Sequence, residues 1–270
     1  TGVQTCALPI SFPSNVSPYF PAKEWDEARA TLPEDVFRQE YMAEFLEDSA
    51  GVFRGVDACL ILGEEMSHAE PRRPQSVIVG CDIAKHTDWT VLIAVDAKTG
   101  LCLELERFNQ LDWPLQKERI AAFVKRWRAR LVMDATGVGD PVYDDLRRVL
   151  PLVEGFRITA QTKRELVQGL MVAVEQRRVM WPGKSVGSGS GQSAVGNGPW
   201  EVLTAEMRRY EYDIGPTGQI SYAAPSGCHD DCVMSLALAV WGCRTYGVEP
   251  GKMWRVTRDN ALMQKVLTMA

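Results

Sequence analysis

The sequence predicts an α/β protein, and two observations support this. Strand-like runs of β-branched or alternating apolar residues follow one another at 77–83, 89–95 and 101–108, and they would form a β-meander. Beyond the meander, helical and strand-like segments alternate along the chain, which is typical of α/β folds. We therefore expect one domain over residues 76–248.

The elements after the meander are predicted from hydrophobic periodicity and from Gly and Pro positions. In order, they are a helix at 115–127, a strand at 131–134, a helix at 141–149, a helix at 162–179, a Gly/Ser-rich loop at 183–198, a helix at 201–210, a strand at 219–224 and a last helix from residue 230. The last helix is apolar almost all round, so it must pack on the sheet.

A short helical segment precedes the domain, within residues 18–75. Trp25, Ala28 and Ala30, followed by Phe37, Tyr41 and Phe45 at four-residue spacing, predict one or two amphipathic helices. Prolines between residues 68 and 75 indicate a linker. The chain opens with T-G-V-Q-T-C-A-L-P-I-S, which has neither an initiator Met nor the basic region of a secretory signal. It is similar to translated sequencing-adapter DNA, so we expect residues 1–17 to be artefactual or disordered and the natural N-terminal part to be missing.

Composition argues against several classes of protein. The longest apolar run is far below the roughly 20 residues that span a bilayer, so no membrane span is expected. Seven scattered cysteines, without a C-x-x-C pair, argue for a reducing cytoplasm and against secretion or a disulfide framework. The net charge of −5 gives no overall attraction to a polyanion. Nucleic-acid binding would therefore depend on local basic clusters.

Carboxylates stand at the ends of three predicted elements. Asp82 and Asp134 each close an apolar strand, and Asp230 and Asp231 head the last helix. The ends of central strands are where α/β sheets place their sites. Taken singly, Asp230 could cap its helix and Asp82 could be a turn residue. Taken together, converging carboxylates raise each other's pKa unless a cation neutralises them, and an all-oxygen cluster suits Mg²⁺ or Mn²⁺.

The order of these motifs resembles the nuclease domain of large terminase subunits from tailed phages, which has a ribonuclease H-like fold. The motifs are G-C-D-I-A-K-H-T-D-W-T, L-V-M-D-A-T-G-V-G-D and C-H-D-D-C-V-M-S-L-A-L-A. Upstream, L-P-E-D-V-F-R-Q-E-Y-M-A-E-F-L resembles the segment that joins the packaging ATPase to the nuclease in that family. The resemblance implies a mixed central sheet flanked by helices, with residues 18–75 as the end of the ATPase domain and a linker, and residues 249–270 as a C-terminal tail.

The resemblance also implies an activity and a set of site residues. Such domains cut concatemeric double-stranded viral DNA in the host cytoplasm, beside a portal protein and a small terminase subunit. Asp82, Asp134 and one or both of Asp230 and Asp231 would hold two Mg²⁺ or Mn²⁺ ions, with Asp88 as an auxiliary ligand. Two ions about 3.5–4 Å apart can activate water and stabilise a leaving oxygen in phosphodiester hydrolysis. Adjacent helical residues point about 100° apart, so we favour Asp231 as the ligand and Asp230 as a cap or support.

Further residues carry weaker signals. His229 could order the acids, approach the scissile phosphate or be a buried core histidine. A zinc site with Cys228 and Cys232 lacks a fourth ligand. Candidate DNA-binding residues beside or within the Gly/Ser-rich loop and its neighbouring helices are Lys163, Arg164, Arg177, Arg178, Lys184 and Arg208. The G-K-S sequence at 183–185 is not a phosphate loop, because Arg178 stands where the first glycine is needed. No ATPase activity is therefore expected.

Two other functions stay open on the sequence. Another ribonuclease H-like nuclease, such as a junction resolvase or transposase-like domain, would use similar carboxylates. A non-catalytic docking module for the packaging machinery would hold these acids for structural reasons only.

Overall fold

The computed structural model describes residues 12–44, 51–61, 76–84, 88–137, 139–183, 198–214 and 220–246. The chain divides into two compact units, with the boundary between Ala50 and Gly51. Segment 18–75, expected to be the end of an ATPase domain and a linker, therefore contributes to both units. Residues 1–11, Lys184 with most of the Gly/Ser-rich loop, and the tail 249–270 lie outside the described residues.

The first unit contains helices α1 (Ala22–Thr31) and α2 (Glu34–Glu40). Aromatic rings hold them together: Trp25 meets Phe37 edge-on at 4.9 Å between ring centroids, and Phe37 stacks on Tyr41 at 5.4 Å. The four-residue spacing of Phe37 and Tyr41 thus predicted the packed face correctly. Phe45, the third residue of that pattern, lies outside the described residues.

The second unit is built on a mixed sheet, as predicted. Its elements, in chain order, are β1 (Leu60–Ile61), β2 (Val77–Asp82), β3 (Thr90–Asp96), β4 (Cys102–Phe108), α3 (Trp113–Trp127), β5 (Arg130–Asp134), α4 (Gly139–Val149), β6 (Val153–Phe156), α5 (Ala160–Glu175), β7 (Trp181–Pro182), α6 (Pro199–Arg209), β8 (Glu211–Ile214), β9 (Ile220–Ala223) and α7 (Asp231–Tyr246). Five strands form the central sheet in the order β4-β3-β2-β5-β6. The meander β2-β3-β4 is antiparallel, and β5 and β6 continue the sheet parallel to β2.

Helices cover both faces of the sheet. Alternate side chains of β2 separate two cores: Ile78 packs in the core that contains α5 and α7, whereas Val79 packs in the core that contains α3 and α4. Residues 51–61 of the same unit add Phe53 and Cys59 to the first core, where the Cys59 thiol donates to the Val174 carbonyl at 3.4 Å. None of the helices in these described ranges is long and apolar enough to cross a membrane.

Helix α7 lies directly on the sheet because glycine occupies β2 at their closest approach. A Cβ on Gly80 would lie 1.9 Å from the Ser235 carbonyl oxygen. The Ser235 hydroxyl donates to the Gly80 carbonyl at 3.1 Å, which satisfies a polar group that is buried in this contact. The apolar run of the sequence is thus a central helix, and it fixes where the N-terminus of α7 lies.

Several predicted boundaries were wrong, for local reasons. Helix α5 begins at Ala160 behind a capping box of Thr159 and Thr162, and it ends at Glu175 rather than at residue 179. The chain leaves this helix through Arg177, whose φ of 51° is left-handed. Strand β6 and strand β8 were not predicted. Each has only four residues. Strand β6 shows no clear alternation of apolar and polar residues, and the alternation of β8 spans just the minimum length that indicates a strand.

Candidate metal centre

Two neighbouring strands deliver the first two carboxylates. Asp82 is the last residue of β2 and Asp134 is the last residue of β5. The strands are parallel and paired with Cys81 opposite Met133, so the two aspartates leave the sheet side by side at its carboxyl edge. The Thr136 backbone N–H donates to Asp134 Oδ1 at 2.8 Å and orients that carboxylate.

The N-terminus of α7 brings two more carboxylates to the same edge. A cleft of about 270 Å³ is lined by Asp82, Ile83, Ala84, Asp88, Ile158, Lys163, Cys228, His229, Asp230, Asp231 and Met234. Asp134 does not line this cleft, yet its charge raises the pKa of Asp82. Two pairs of acids that are far apart in sequence, Asp82 with Asp88 and Asp230 with Asp231, thus line one cleft.

The adjacent acids at the start of α7 point to different partners. Asp230 Oδ2 accepts from Lys163 Nζ at 3.1 Å and from the Tyr210 hydroxyl at 3.2 Å. Asp231 Oδ2 accepts from the Trp89 backbone N–H at 3.3 Å. Asp231 is only 7% exposed, whereas Asp230 is half-buried. The two side chains therefore point in different directions, as expected for neighbouring helical residues. Of the two, Asp230 is ion-paired with Lys163.

The start of α7 is capped by Glu206. Its Oε2 accepts from the backbone N–H groups of Cys232 at 2.8 Å and Val233 at 3.3 Å. These are N–H groups of the first turn, which have no partner inside a helix. Sequence reasoning assigned such a cap to Asp230. It missed Glu206 because this residue lies on α6, about 25 positions earlier, and no local pattern connects the two.

Burial and mutual repulsion raise the pKa values of the clustered acids. Burial, followed by the charges of Asp231, Asp134 and Asp230, raises the pKa of Asp82 well above its usual range, while Lys163 opposes the shift. Burial is also the main cause that raises the pKa of Asp231 to about 6 and that raises the pKa of Asp134. Crowded carboxylates with this repulsion fit a bound cation, because a divalent ion would remove the penalty on ionising them.

A histidine joins the cleft at its mouth. His229 Nδ1 lies 3.4 Å from Asp88 Oδ1 and 3.7 Å from Asp231 Oδ2. Across the described ranges, these three residues are the one group whose potential ligand atoms all lie within 4.8 Å of one another. The group contains no cysteine, and the Cys232 thiol is buried in the apolar core. With 43% of its side chain exposed, His229 is not a core histidine.

The predicted DNA-binding residues separate into different places. Lys163 lines the cleft, and Arg208 lines an adjoining groove where it is ion-paired with Asp57. Arg177 and Arg178 follow the far end of α5, and about 18 Å of helix separates Lys163 from that end. Arg164 lies near Tyr222. Burial raises the pKa of Tyr222, and the positive charge of Arg164 opposes that shift.

The adjoining groove has a volume of about 740 Å³ and shares Cys228 and His229 with the cleft. Arg107, Trp200, Arg208 and Arg209 are among the residues that line it. The Arg107 guanidinium lies 3.9 Å from the centroid of the Trp89 ring. Sequence reasoning missed Arg107 because it stands alone in a strand, outside any basic cluster.

A mixed sheet with acids from two parallel strands and one helix at its carboxyl edge is the arrangement of the ribonuclease H-like class, and these acids form a candidate metal centre. The model of the terminase RNaseH-like domain family matches residues 79–240. The chain belongs to this family, which confirms the resemblance found in the sequence and the expected fold class.

The comparisons with single proteins agree with the family. The large terminase subunit of Thermus virus P23-45 is 32% identical over 230 residues, which are 80% of this chain and 43% of that protein. The crystal structure of the large terminase nuclease from the thermophilic phage G20c with bound magnesium has a TM-score of 0.58 and 26% identity, over 72% of this chain and 98% of that one. The same nuclease with bound cobalt gives a TM-score of 0.58 and 25% identity, with the same coverage of this chain. The chain thus spans less than half the length of its curated relative.

Proposed function

We propose that this chain contains the divalent-metal-dependent endonuclease domain of a large terminase subunit, which cuts concatemeric double-stranded viral DNA during packaging. One observation carries the proposal. Acids from β2, β5 and the start of α7 converge at one sheet edge, in a chain of the terminase RNaseH-like domain family. A related nuclease with bound magnesium or cobalt supports the use of divalent ions.

We infer that the ions are Mg²⁺ or Mn²⁺ and that two bind. Asp82, Asp134 and Asp231 would hold them, with Asp88 and Asp230 beside them. Bound divalent ions supply Lewis acidity, which stabilises charge on the attacking and leaving oxygens of a phosphodiester.

The other groups of the cleft prepare these carboxylates. The Trp89 backbone N–H donates to Asp231, and Glu206, on α6, accepts from the N–H groups of the first turn of α7. Lys163 offsets the charge of Asp230, so Asp230 repels the neighbouring acids less. The carboxylates are therefore held in place before any ion binds, which lowers the cost of assembling the site.

DNA is proposed to approach through the groove that adjoins the cleft. Arg107, Arg208 and Arg209 line it and offer contacts to phosphates, and the Trp200 indole also lines it. The groove reaches the metal centre at His229. A backbone that follows it would therefore arrive at the carboxylates. By family membership we extend the proposal to a portal protein and a small terminase subunit as partners, and to the host cytoplasm as the place of action.

The proposal is tested by nicking of supercoiled plasmid with Mn²⁺ or Mg²⁺. Asp82→Asn and Asp134→Asn should each lower the rate by at least about 100-fold, because each removes charge that holds the ions. Asp145→Asn is the matched control, since Asp145 is an acid on α4 that pairs with Lys117 and does not line the cleft. Circular dichroism must show the same fold for all three variants.

The outcomes distinguish the candidate functions. Parental rates in both Asp82→Asn and Asp134→Asn would refute a nuclease centre. A docking module predicts no cleavage of any DNA and, by calorimetry, no saturable divalent-metal site that is lost in Asp82→Asn. A strong preference for branched over linear DNA would favour a resolvase-like enzyme. Two equivalents of bound Mn²⁺ are expected in the titration, and a single equivalent would contradict the two-ion inference.

A further inference from the structure

A buried network of hydrogen bonds joins helix α3 to the start of β3. Thr90 is the first residue of β3 and Gln116 is on α3, and both are fully buried. The Thr90 hydroxyl donates to Gln116 Oε1 at 2.9 Å and accepts from the Ala84 backbone N–H at 3.0 Å. Gln116 Nε2 donates to the carbonyls of Ala84 at 3.1 Å and Leu111 at 2.9 Å. Every polar atom of the two side chains therefore has a partner.

The amide of Gln116 does more than fill space. Ile120 lies one turn further along the same face of α3 and packs in the apolar core. An apolar residue at position 116 would likewise avoid the cost of burying an amide. Ala84 follows β2 and Thr90 begins β3, so the network ties these strands together beside the edge where Asp82 lies. It therefore fixes the geometry of that edge.

The start of β3 carries this constraint to the other face of the sheet. Successive residues of a strand face opposite sides, and Leu92 packs in the core that contains α3 whereas Val91 packs in the core that contains α7. Thr90 is held from the α3 side, and the next residue, Trp89, packs against the α7 core. The Trp89 backbone N–H donates to Asp231 Oδ2 at 3.3 Å. Because Trp89 and Thr90 are directly bonded, holding Thr90 limits the movement of the N–H that binds Asp231.

We propose that Thr90 and Gln116 are positioning residues of the nuclease. From the α3 side of the sheet they hold the Trp89 N–H in place and, through it, the carboxylate of Asp231. Neither Thr90 nor Gln116 lines the cleft, so both act through the backbone of β3. This inference rests on the proposed function, because Asp231 is one of the acids assigned to it.

The first test needs neither ions nor DNA. Amide hydrogen exchange of the whole chain is followed by NMR in chelator. Thr90→Val removes the hydroxyl, so the Ala84 amide exchanges faster simply because it loses its acceptor. The Trp89 amide is the decisive signal, and it should exchange at least about tenfold faster. Thr90→Ser keeps a hydroxyl and should retain the wild-type exchange rate at Trp89.

A second variant breaks the network from the α3 side. Gln116→Met should also speed exchange at Trp89, by a smaller factor, since the Thr90 hydroxyl can still donate to the Ala84 carbonyl, 3.0 Å away. This variant also serves if Thr90→Val does not fold. Thr99→Val is the matched control, because the Thr99 hydroxyl donates to Asp96 Oδ2 at 2.9 Å at the far end of β3. It should leave exchange at Trp89 unchanged.

The second test is plasmid nicking at saturating Mn²⁺ and DNA. Thr90→Val should lower kcat by at least about tenfold, because small displacements of a group in a catalytic centre are costly. Thr90→Ser and Thr99→Val should stay within about twofold of the wild type. Urea denaturation identifies a temperature at which every variant is folded.

The outcomes separate this inference from the proposed function. Wild-type exchange at Trp89 in both Thr90→Val and Gln116→Met would overturn the positioning role. Faster exchange with an unchanged kcat, or the same losses in Thr99→Val, would also overturn it. A wild-type chain that does not nick DNA would instead refute the proposed function and, with it, the role in catalysis, whereas the exchange rates test the link to Asp231 independently.

Discussion

Replacing Glu206 by Gln should make the protein more stable at neutral pH and leave it nearly unchanged in acid. Glu206 is 9% exposed, and its Oε2 accepts two N–H groups of α7. Its Oε1 is buried and, among the described residues, has no hydrogen-bond partner. Burial is the main cause that raises the pKa of Glu206 from 4.5 to about 7. Gln keeps a carbonyl oxygen for the helix but cannot ionise.

The sign and the size of the effect follow from proton linkage. Below pH 4.5 both the folded and the unfolded chain hold the Glu206 proton. Between pH 4.5 and about 7 only the folded chain holds it, so the free energy of unfolding falls as the pH rises. The slope is about 1.4 kcal/mol per pH unit, which gives a loss of about 3 kcal/mol across this window. Above pH 7 the loss is complete, and Gln avoids it.

The assay is urea denaturation of the wild type and of Glu206→Gln from pH 5 to pH 8, in chelator. Other acids with raised pKa values, including Asp82 and Asp231, titrate in both proteins, so the difference between the two curves isolates Glu206. The variant should gain about 2.5 kcal/mol on the wild type between pH 5 and pH 8, because a small part of the difference is already present at pH 5. Glu118→Gln, at an exposed position on α3, is the control for the removal of one negative charge. A constant or falling difference for Glu206→Gln would refute the buried, protonated acid.

Three further predictions concern packing and ion binding. Gly80→Ala should lower the free energy of unfolding by about 3 kcal/mol or more, because its Cβ would meet the Ser235 carbonyl; urea denaturation that matches the wild type would contradict this. Thr204→Val should cost about 1–3 kcal/mol, since Thr204 Oγ1 accepts the buried Trp181 indole N–H at 3.0 Å, and Thr204→Ser should retain most of that stability. Mn²⁺ at about 100 times its dissociation constant should stabilise the wild type by about 2.7 kcal/mol, seen as a higher Tm, and Asp82→Asn should lose most of this gain.

Much of the sheet and the main acids could be predicted from sequence, because their signals are local. Strands β2 and β3 are long, β-branched and buried, and Asp82 and Asp134 follow apolar runs directly. Parallel strands carry their ends to one edge, so closeness of those two acids follows from topology alone. The position of α7 also follows, since a helix that is apolar all round has to be central.

The missed features depend on contacts between distant parts of the chain. Glu206 caps a helix that begins about 25 residues later, and Arg107 stacks on Trp89 from a neighbouring strand. Hydrophobic periodicity carries no information about contacts between residues that are far apart in the sequence. Lys163 is a second case in which sequence alone was not sufficient. Its basic neighbour Arg164 suggested a DNA-binding face, but in the structure Lys163 pairs with Asp230 in the cleft. The charge pattern of the sequence cannot distinguish a lysine that contacts DNA from a lysine that pairs with a carboxylate inside the cleft.

The pair Asp230 and Asp231 illustrates how one helix start can serve two purposes. Because neighbouring helical residues diverge by about 100°, Asp230 reaches Lys163 and Tyr210 while Asp231 reaches Trp89 and the mouth of the cleft. The Glu206 cap relieves both acids of the task of binding the free N–H groups of the helix, so both are available to the cleft. The close approach of α7 to Gly80, with the hydrogen bond from the Ser235 hydroxyl to the Gly80 carbonyl, packs the helix directly on β2. Burial of the apolar helix α7 against the sheet therefore positions the Asp230 and Asp231 carboxylates beside the carboxylate of Asp82.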